Sequence, residues 1–168
     1  WSEDEVYNRG VVRYVNRNDL VVNLGAAEVK DGGQVMVHAH HHEHIDLLSE
    51  MFSRLGIAVA KLSGKVKGDE RKSKLLGFKA RRCRVLVGNI FGEGLDVPQV
   101  DVVINAEGGK SRKRTIQRMR NLTPSPGKTY VKVIDFLDFQ EPHLLAQSRA
   151  RVKAYKAEDA FDIRMIKA

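Results

Sequence analysis

Short β-branched runs alternate with amphipathic stretches from residue 35 to residue 136, and this alternation constrains the fold more than any other feature of the chain. Val35-Met36-Val37 follows the turn signal Asp31-Gly32-Gly33 and predicts a strand. Ile45, Leu48, Met51, Phe52 and Leu55 then recur at helical spacing until Gly56 ends the helix. The same reading predicts strands over 57–62, 84–87, 100–104 and 130–136. It predicts helices over 69–78, with Leu75, Leu76 and Phe78 inward, and over 112–122. Short apolar strands separated by helices imply βαβ crossovers, hence an α/β fold with a parallel sheet covered by helices on both faces. Ligands of such sheets gather at the carboxyl ends of the strands. The loops after Val37, Leu62, Val87 and Ile104, and the approach to Arg120, should therefore share one rim.

A chain of 168 residues, 42% hydrophobic and 30% charged, supports one well-buried core, so a single domain is expected. Its longest apolar stretches, 20–27 and 85–92, are far shorter than the roughly 20 residues that span a bilayer. The acidic start, Trp1 to Glu5, lacks the order of a signal peptide, and the lone Cys83 cannot form an internal disulfide; secretion is not expected. Cys83 has no identifiable base beside it, which makes it structural rather than nucleophilic.

Charge gives the first functional hint. Lys and Arg number 29 against 21 Asp and Glu, a formal +8 with a pI near 9.7, which suits an acidic polymer as partner. The basic residues cluster over 61–84 and again over 110–120.

The most informative segment is 85–98, where a buried strand runs into Gly92-Glu93-Gly94-Leu95-Asp96-Val97-Pro98. Glycines at such a position let backbone approach a phosphate or sugar, and a carboxylate beside a nucleotide can accept from ribose hydroxyls. The segment resembles motif V of superfamily 2 helicases. Leu62-Ser63-Gly64, Arg71 and Phe78 stand where that family has its strand-end Gly, helix Arg and helix Phe, and 35–38 is similar to motif IV. The resemblance covers roughly 7–138 and is closest to DNA repair, recombination and phage-type translocases. It implies the second RecA-like domain of an ATP-driven motor over residues 1–140, with 141–168 as a helix and apolar tail packed on it. It further implies Gly92, Gly94 and Asp96 toward the nucleotide, and Ser63, Gly64 and Asn89 toward a nucleic-acid backbone, with DNA favoured over RNA. Asn89 stands in place of the commoner Thr.

Motif VI departs from the family pattern Gln-x-x-Gly-Arg-x-x-Arg. Here Gln117-Arg118-Met119-Arg120-Asn121-Leu122-Thr123 keeps the Gln and lacks the Gly. A one-residue deletion puts Arg120 in the place of the first arginine and Thr123 in that of the second. The resemblance then implies Gln117, Arg118 and Arg120 as catalytic candidates, with Arg120 as the finger on the γ-phosphate and Arg118 in reserve. A phosphate-cradling Gly-x-x-x-x-Gly-Lys-Ser/Thr loop is absent, as is an Asp-Glu box. In the family these belong to the first RecA-like domain, which would hold most of the ATP and Mg2+ and is the expected intramolecular partner. Together with Trp1 in place of Met, this suggests a fragment without ATPase activity of its own, from a cytoplasmic or nuclear protein. A second reading, a non-catalytic nucleic-acid-binding or regulatory module with a degenerate helicase fold, draws on the altered motif VI.

His38, His40, His41, His42 and His44 invite a metal reading, but no cysteine is near and no His-Glu-x-x-His spacing occurs. The resemblance places them at the start of the helix after motif IV, in a polar, exposed stretch, and no metal is expected.

Overall fold

The computed structural model describes residues 1–63, 66–91, 98–110 and 113–167, apart from the side chain of Arg114. Five parallel strands form one sheet in the order β2-β3-β1-β4-β5: β1 Val35–His38, β2 Val59–Leu62, β3 Val85–Gly88, β4 Val102–Asn105 and β5 Lys132–Ile134. The chain opens with α1 Glu3–Tyr7, a π-helical turn Asn8–Val12 and α2 Val15–Lys30. α3 His42–Arg54 joins β1 to β2, α4 Gly68–Lys79 joins β2 to β3, α5 Lys113–Arg120 joins β4 to β5, and α6 Pro142–Lys156 follows β5.

Alternate strand residues feed two separate cores. Val35, Val37, Val85, Val87, Val102 and Ile104 pack on one face with Val21 and Val22 of α2 and Ile45, Leu48 and Phe52 of α3. Met36, Leu86 and Val103 pack on the other with Phe78 of α4, Ile116 and Met119 of α5, and Tyr155 of α6. Because β1, β3 and β4 are buried on both sides, their sequences are continuous apolar runs rather than alternating ones. The crossover β1–α3–β2 travels one way along the sheet, while β2–α4–β3 and β4–α5–β5 travel the other. Right-handed crossovers of opposite direction must use opposite faces, and they do. Gly88 fits only without a side chain, since a Cβ there would collide with the backbone carbonyl of Leu62 on the neighbouring strand.

The expected elements form with shifted ends and a few reversals. Leu76 is half exposed, because Leu75 and Phe78, three residues apart, share the inner face of α4 and leave Leu76 outward. Leu55 is exposed as the residue just past α3. The strand expected over 130–136 contracts to three residues at the sheet edge, and Tyr130 lies open to solvent. No helix among the described residues is long and apolar enough to cross a membrane.

Candidate nucleotide and nucleic-acid site

The loop after β1 leads to one face of the sheet, while the loop after its neighbour β4 leads to α5 on the other. The carboxyl end of β1 is thus a topological switch point, where α/β sheets place their ligands. His38, the last residue of β1, sits there and is almost wholly buried. The Ile90 N–H, just after β3, donates to His38 Nδ1 at 3.2 Å. That nitrogen is therefore an acceptor, and Nε2 carries the proton that points at Glu107 Oε2, 2.7 Å away in the loop after β4. The Phe91 ring stacks edge-on against the imidazole at 4.8 Å. One side chain thus ties together the two loops expected to carry function. In sequence His38 belongs to the histidine run and to the stretch similar to motif IV, and its pairing with Glu107 spans 69 residues that local pattern cannot bridge.

Leu62 pairs with Gly88 in register, so Ser63 and Asn89 leave the sheet side by side. Ser63 is half-buried, and its carbonyl accepts the Val66 N–H at 3.0 Å. Asn89 Nδ2 lies 3.3 Å from His40 Nδ1, and Asn89 lines an open groove with His40, His41, His42 and Ile45 at the start of α3. Gly64, Gly92, Gly94 and Asp96 lie outside the described residues.

α5 turns Ile116 and Met119 into the core, which sends its polar residues in different directions. Arg118 Nη1 donates to the Phe91 carbonyl at 2.6 Å and so faces the loop after β3. Arg120 Nη1 lies 3.1 Å from Glu158 Oε2, beyond the end of α6, with half of its side chain exposed. Gln117 is exposed. The three catalytic candidates therefore do not converge on one point.

Three donors from outside the strand-loop motifs grip the loop between β4 and α5. Arg17 of α2 donates to the Ala106 carbonyl at 2.7 Å, the Tyr7 hydroxyl to the Glu107 carbonyl at 2.6 Å, and Arg151 of α6 to the Gly109 carbonyl. Gly108, at φ +61°, adopts the left-handed conformation, and a Cβ there would meet Arg17 Nη2 at 2.8 Å. Arg17 is balanced by Asp138 at 2.6 Å, and Arg151 by Asp135 at 3.1 Å and Asp138 at 3.5 Å. Burial alone would lower the Arg151 pKa, but these carboxylates more than offset it and hold it above its ordinary value. The Tyr155 hydroxyl donates to Asp135 at 2.8 Å, and burial followed by the charge of Asp135 pushes its pKa up. Burial, then Glu107, does the same to Tyr7. Local sequence pattern assigns no role to Tyr7, Arg17 or Arg151. A charged residue inside an apolar helix face, as at Arg17, was the available signal.

The histidine stretch is not uniformly exposed, contrary to expectation. His38 and His44 are buried, because α2 supplies Asn18 as a partner for His44 Nε2 at 2.9 Å. Burial, with Arg17 and His41 adding positive charge, lowers the His44 pKa to about 3, so the ring is neutral. No group of three or more His, Cys, Asp or Glu is placed to hold a metal among the described residues. Burial raises the Cys83 thiol pKa, away from nucleophilic use.

Comparison with known proteins agrees with this fold. The pre-mRNA-splicing ATP-dependent RNA helicase PRP28 of Candida glabrata is 27% identical over 156 residues, 91% of this chain and 26% of its own length. The ATP-dependent RNA helicase dbp8 of Aspergillus oryzae is 37% identical over 71 residues, 42% of this chain and 16% of its own. The chain thus spans about a quarter or less of these relatives. In fold it matches the C-terminal domain of the DEAD-box protein Dbp5, at TM-score 0.63 and 20% identity over 84% of this chain and 81% of that one. T4 UvsW gives TM-score 0.69 and 19% identity over 94% of this chain and 35% of that one. The expected affinity to phage-type and repair enzymes is therefore met in fold only, and these relatives, named as RNA helicases, lend no support to a preference for DNA. Residues 16–120 match the helicase conserved C-terminal domain, and the chain belongs to that family.

Proposed function

We propose that this chain is the second motor domain of an ATP-dependent superfamily 2 helicase or translocase. The observation that carries the reading is the rim on which Ser63 and Asn89 leave paired strand ends while His38 ties the loop after β3 to the loop entering α5. Ser63, Gly64 and Asn89 would touch a polynucleotide backbone, a contact that reads no sequence. Gly92, Gly94 and Asp96 would approach the nucleotide, and Arg120 would meet its γ-phosphate across the interdomain cleft. The donor set fits a completing role: the α5 end offers guanidinium groups for phosphate charge, while most of the ATP and Mg2+ contacts would come from a first RecA-like domain. Bound there, the nucleotide would supply the phosphoanhydride bond whose hydrolysis reopens the cleft. Residues 141–168 would brace this domain, since Arg151 and Tyr155 reach Asp135 at the end of the sheet.

The relatives' names favour RNA as the polynucleotide. A second reading, a binding module without catalysis, draws on the missing motif VI glycine and on Thr123 in place of a second arginine. The complete protein should hydrolyse ATP faster with RNA or DNA present, and this chain alone should show no turnover. Polynucleotide binding by a complete protein that never hydrolyses ATP would favour the second reading.

A further inference from the structure

Residues 61–84 hold ten Lys and Arg against two Asp and Glu, a net +8 that equals the formal charge of the whole chain; the other 144 residues balance at 19 against 19. The described residues of this segment form a single flank of the molecule: the end of β2, the edge strand, then α4 and the turn into β3. Lys61 pairs with Asp46 at 2.9 Å and Lys74 with Glu70 at 3.4 Å, while Arg81 and Arg84 both donate to the Gly32 carbonyl at the end of α2. The side chains of Lys67, Arg71, Lys72, Lys79 and Arg82 make no hydrogen bond or ion pair with any described residue, and all but Arg71 are exposed.

Folding does not account for this charge. Helix dipoles favour cations at carboxyl ends, which explains Lys79, Arg81 and Arg84. Lys67, Arg71 and Lys72 stand at the opposite end of α4, where the dipole opposes them, and Lys67 and Arg71 are like charges one helical turn apart. Arg81 at φ +60° holds the left-handed position that usually takes Gly or Asn, with the Arg82 N–H bonded to the Gly77 carbonyl at 2.9 Å, so the turn presents its arginines from a fixed backbone. The unpaired cations run the length of α4, about 18 Å for 12 residues, the span of about five phosphates along one strand of a duplex.

We propose that the β2–α4 flank is a second nucleic-acid surface, carrying the phosphate backbone from the strand-end rim along α4 to the turn at Arg82. This rests on the reading of the chain as a nucleic-acid motor domain and extends its contact beyond the rim. Spaced cations without an apolar centre suit a phosphate backbone better than a protein partner, since Leu76 is the one large apolar side chain exposed along α4.

Salt dependence counts the contacts. Binding of the chain to a fluorescent 20-nucleotide single strand is measured from 50 to 200 mM salt for the wild type, for Lys72→Ala/Lys79→Ala/Arg82→Ala, and for a control, Arg149→Ala/Lys153→Ala/Lys156→Ala on α6, with circular dichroism confirming the fold of each. The flank variant should lower the slope of log K against log salt by about 2, so that the affinity lost over this range shrinks about 20-fold, while the control keeps the wild-type slope. A wild type that binds with a flank variant of unchanged slope overturns the second surface and leaves the motor reading standing. A wild type that binds no polynucleotide even at low salt removes both. Competition by polyglutamate equal to that by an oligonucleotide of matched charge assigns the flank to acidic proteins and also overturns the proposal.

Discussion

Arg120 of α5 is held by Glu158, a carboxylate beyond the end of α6: Nη1 and Oε2 are 3.1 Å apart, with the arginine side chain 51% exposed and the glutamate 20% exposed. A finger that meets phosphate charge must exchange this partner. A pair this exposed is worth at most about 1 kcal/mol, so the exchange is cheap. Arg120→Ala in the complete protein should lower ATP turnover about 10³-fold with a much smaller effect on nucleotide affinity, because a finger acts on charge that develops in phosphoryl transfer. Glu158→Gln, which keeps the shape and removes the charge, should leave turnover intact or raise it. Steady-state kinetics with nucleotide-binding titrations check both. An equal loss in the two variants would mean the pair persists during catalysis.

Arg118 has a different position, with its guanidinium on the Phe91 carbonyl, next to the segment 92–97. It should set the loop after β3 rather than touch the reacting phosphate. Arg118→Ala should therefore reduce turnover less than Arg120→Ala does and should weaken nucleotide or polynucleotide binding. The reverse ranking would shift the alignment of α5 with motif VI by two residues.

Arg151 holds the loop into α5 from a site where its side chain is 2% exposed, between Asp135 and Asp138. Removing it leaves buried carboxylates short of a counter-charge, at a cost of about 3–5 kcal/mol. Arg151→Ala should lower the midpoint of thermal unfolding by roughly 10 °C. Arg151→Lys should recover little, since a point ammonium cannot serve Asp135, the Gly109 carbonyl and the Phe136 carbonyl together. Tyr7→Phe removes one hydrogen bond to the same loop and should cost about 1 kcal/mol. Calorimetry of the three variants decides.

These predictions divide between what the sequence made legible and what it hid. Valine-rich strands declare themselves because burial on both faces leaves no alternation to misread, and the glycine-rich segment 92–97 carries the resemblance that points to the carboxyl ends of the strands. α2 was missed, since Val21, Val22, Arg17 and Asn18 all face inward and blur the apolar stripe that marks a surface helix. The grip of Tyr7, Arg17 and Arg151 on residues 106–109 joins both ends of the chain to its middle, and no local pattern encodes such a contact. The run Leu75-Leu76 carries no phase by itself, so sequence places Leu76 in the core although it is exposed.

His44 gives the fold a pH dependence whose sign follows from its environment. Its Nε2–H donates to Asn18 Oδ1, while Nδ1 is buried without a hydrogen-bond partner, so the folded ring stays neutral down to about pH 3. In the unfolded chain an ordinary histidine takes up its proton near pH 6.5. Between these values the unfolded state binds a proton that the folded state refuses. The contribution is complete above about pH 6.5 and is lost as the pH falls toward 3, by about 2 kcal/mol at pH 5. His44→Gln keeps a donor for Asn18 and cannot titrate. Urea unfolding at pH 7.5 and pH 5 should therefore show the wild type losing about 2 kcal/mol more than the variant between the two conditions. Equal losses would mean that His44 accepts its proton in the folded state, with Nδ1 reaching a partner that opens with the fold intact.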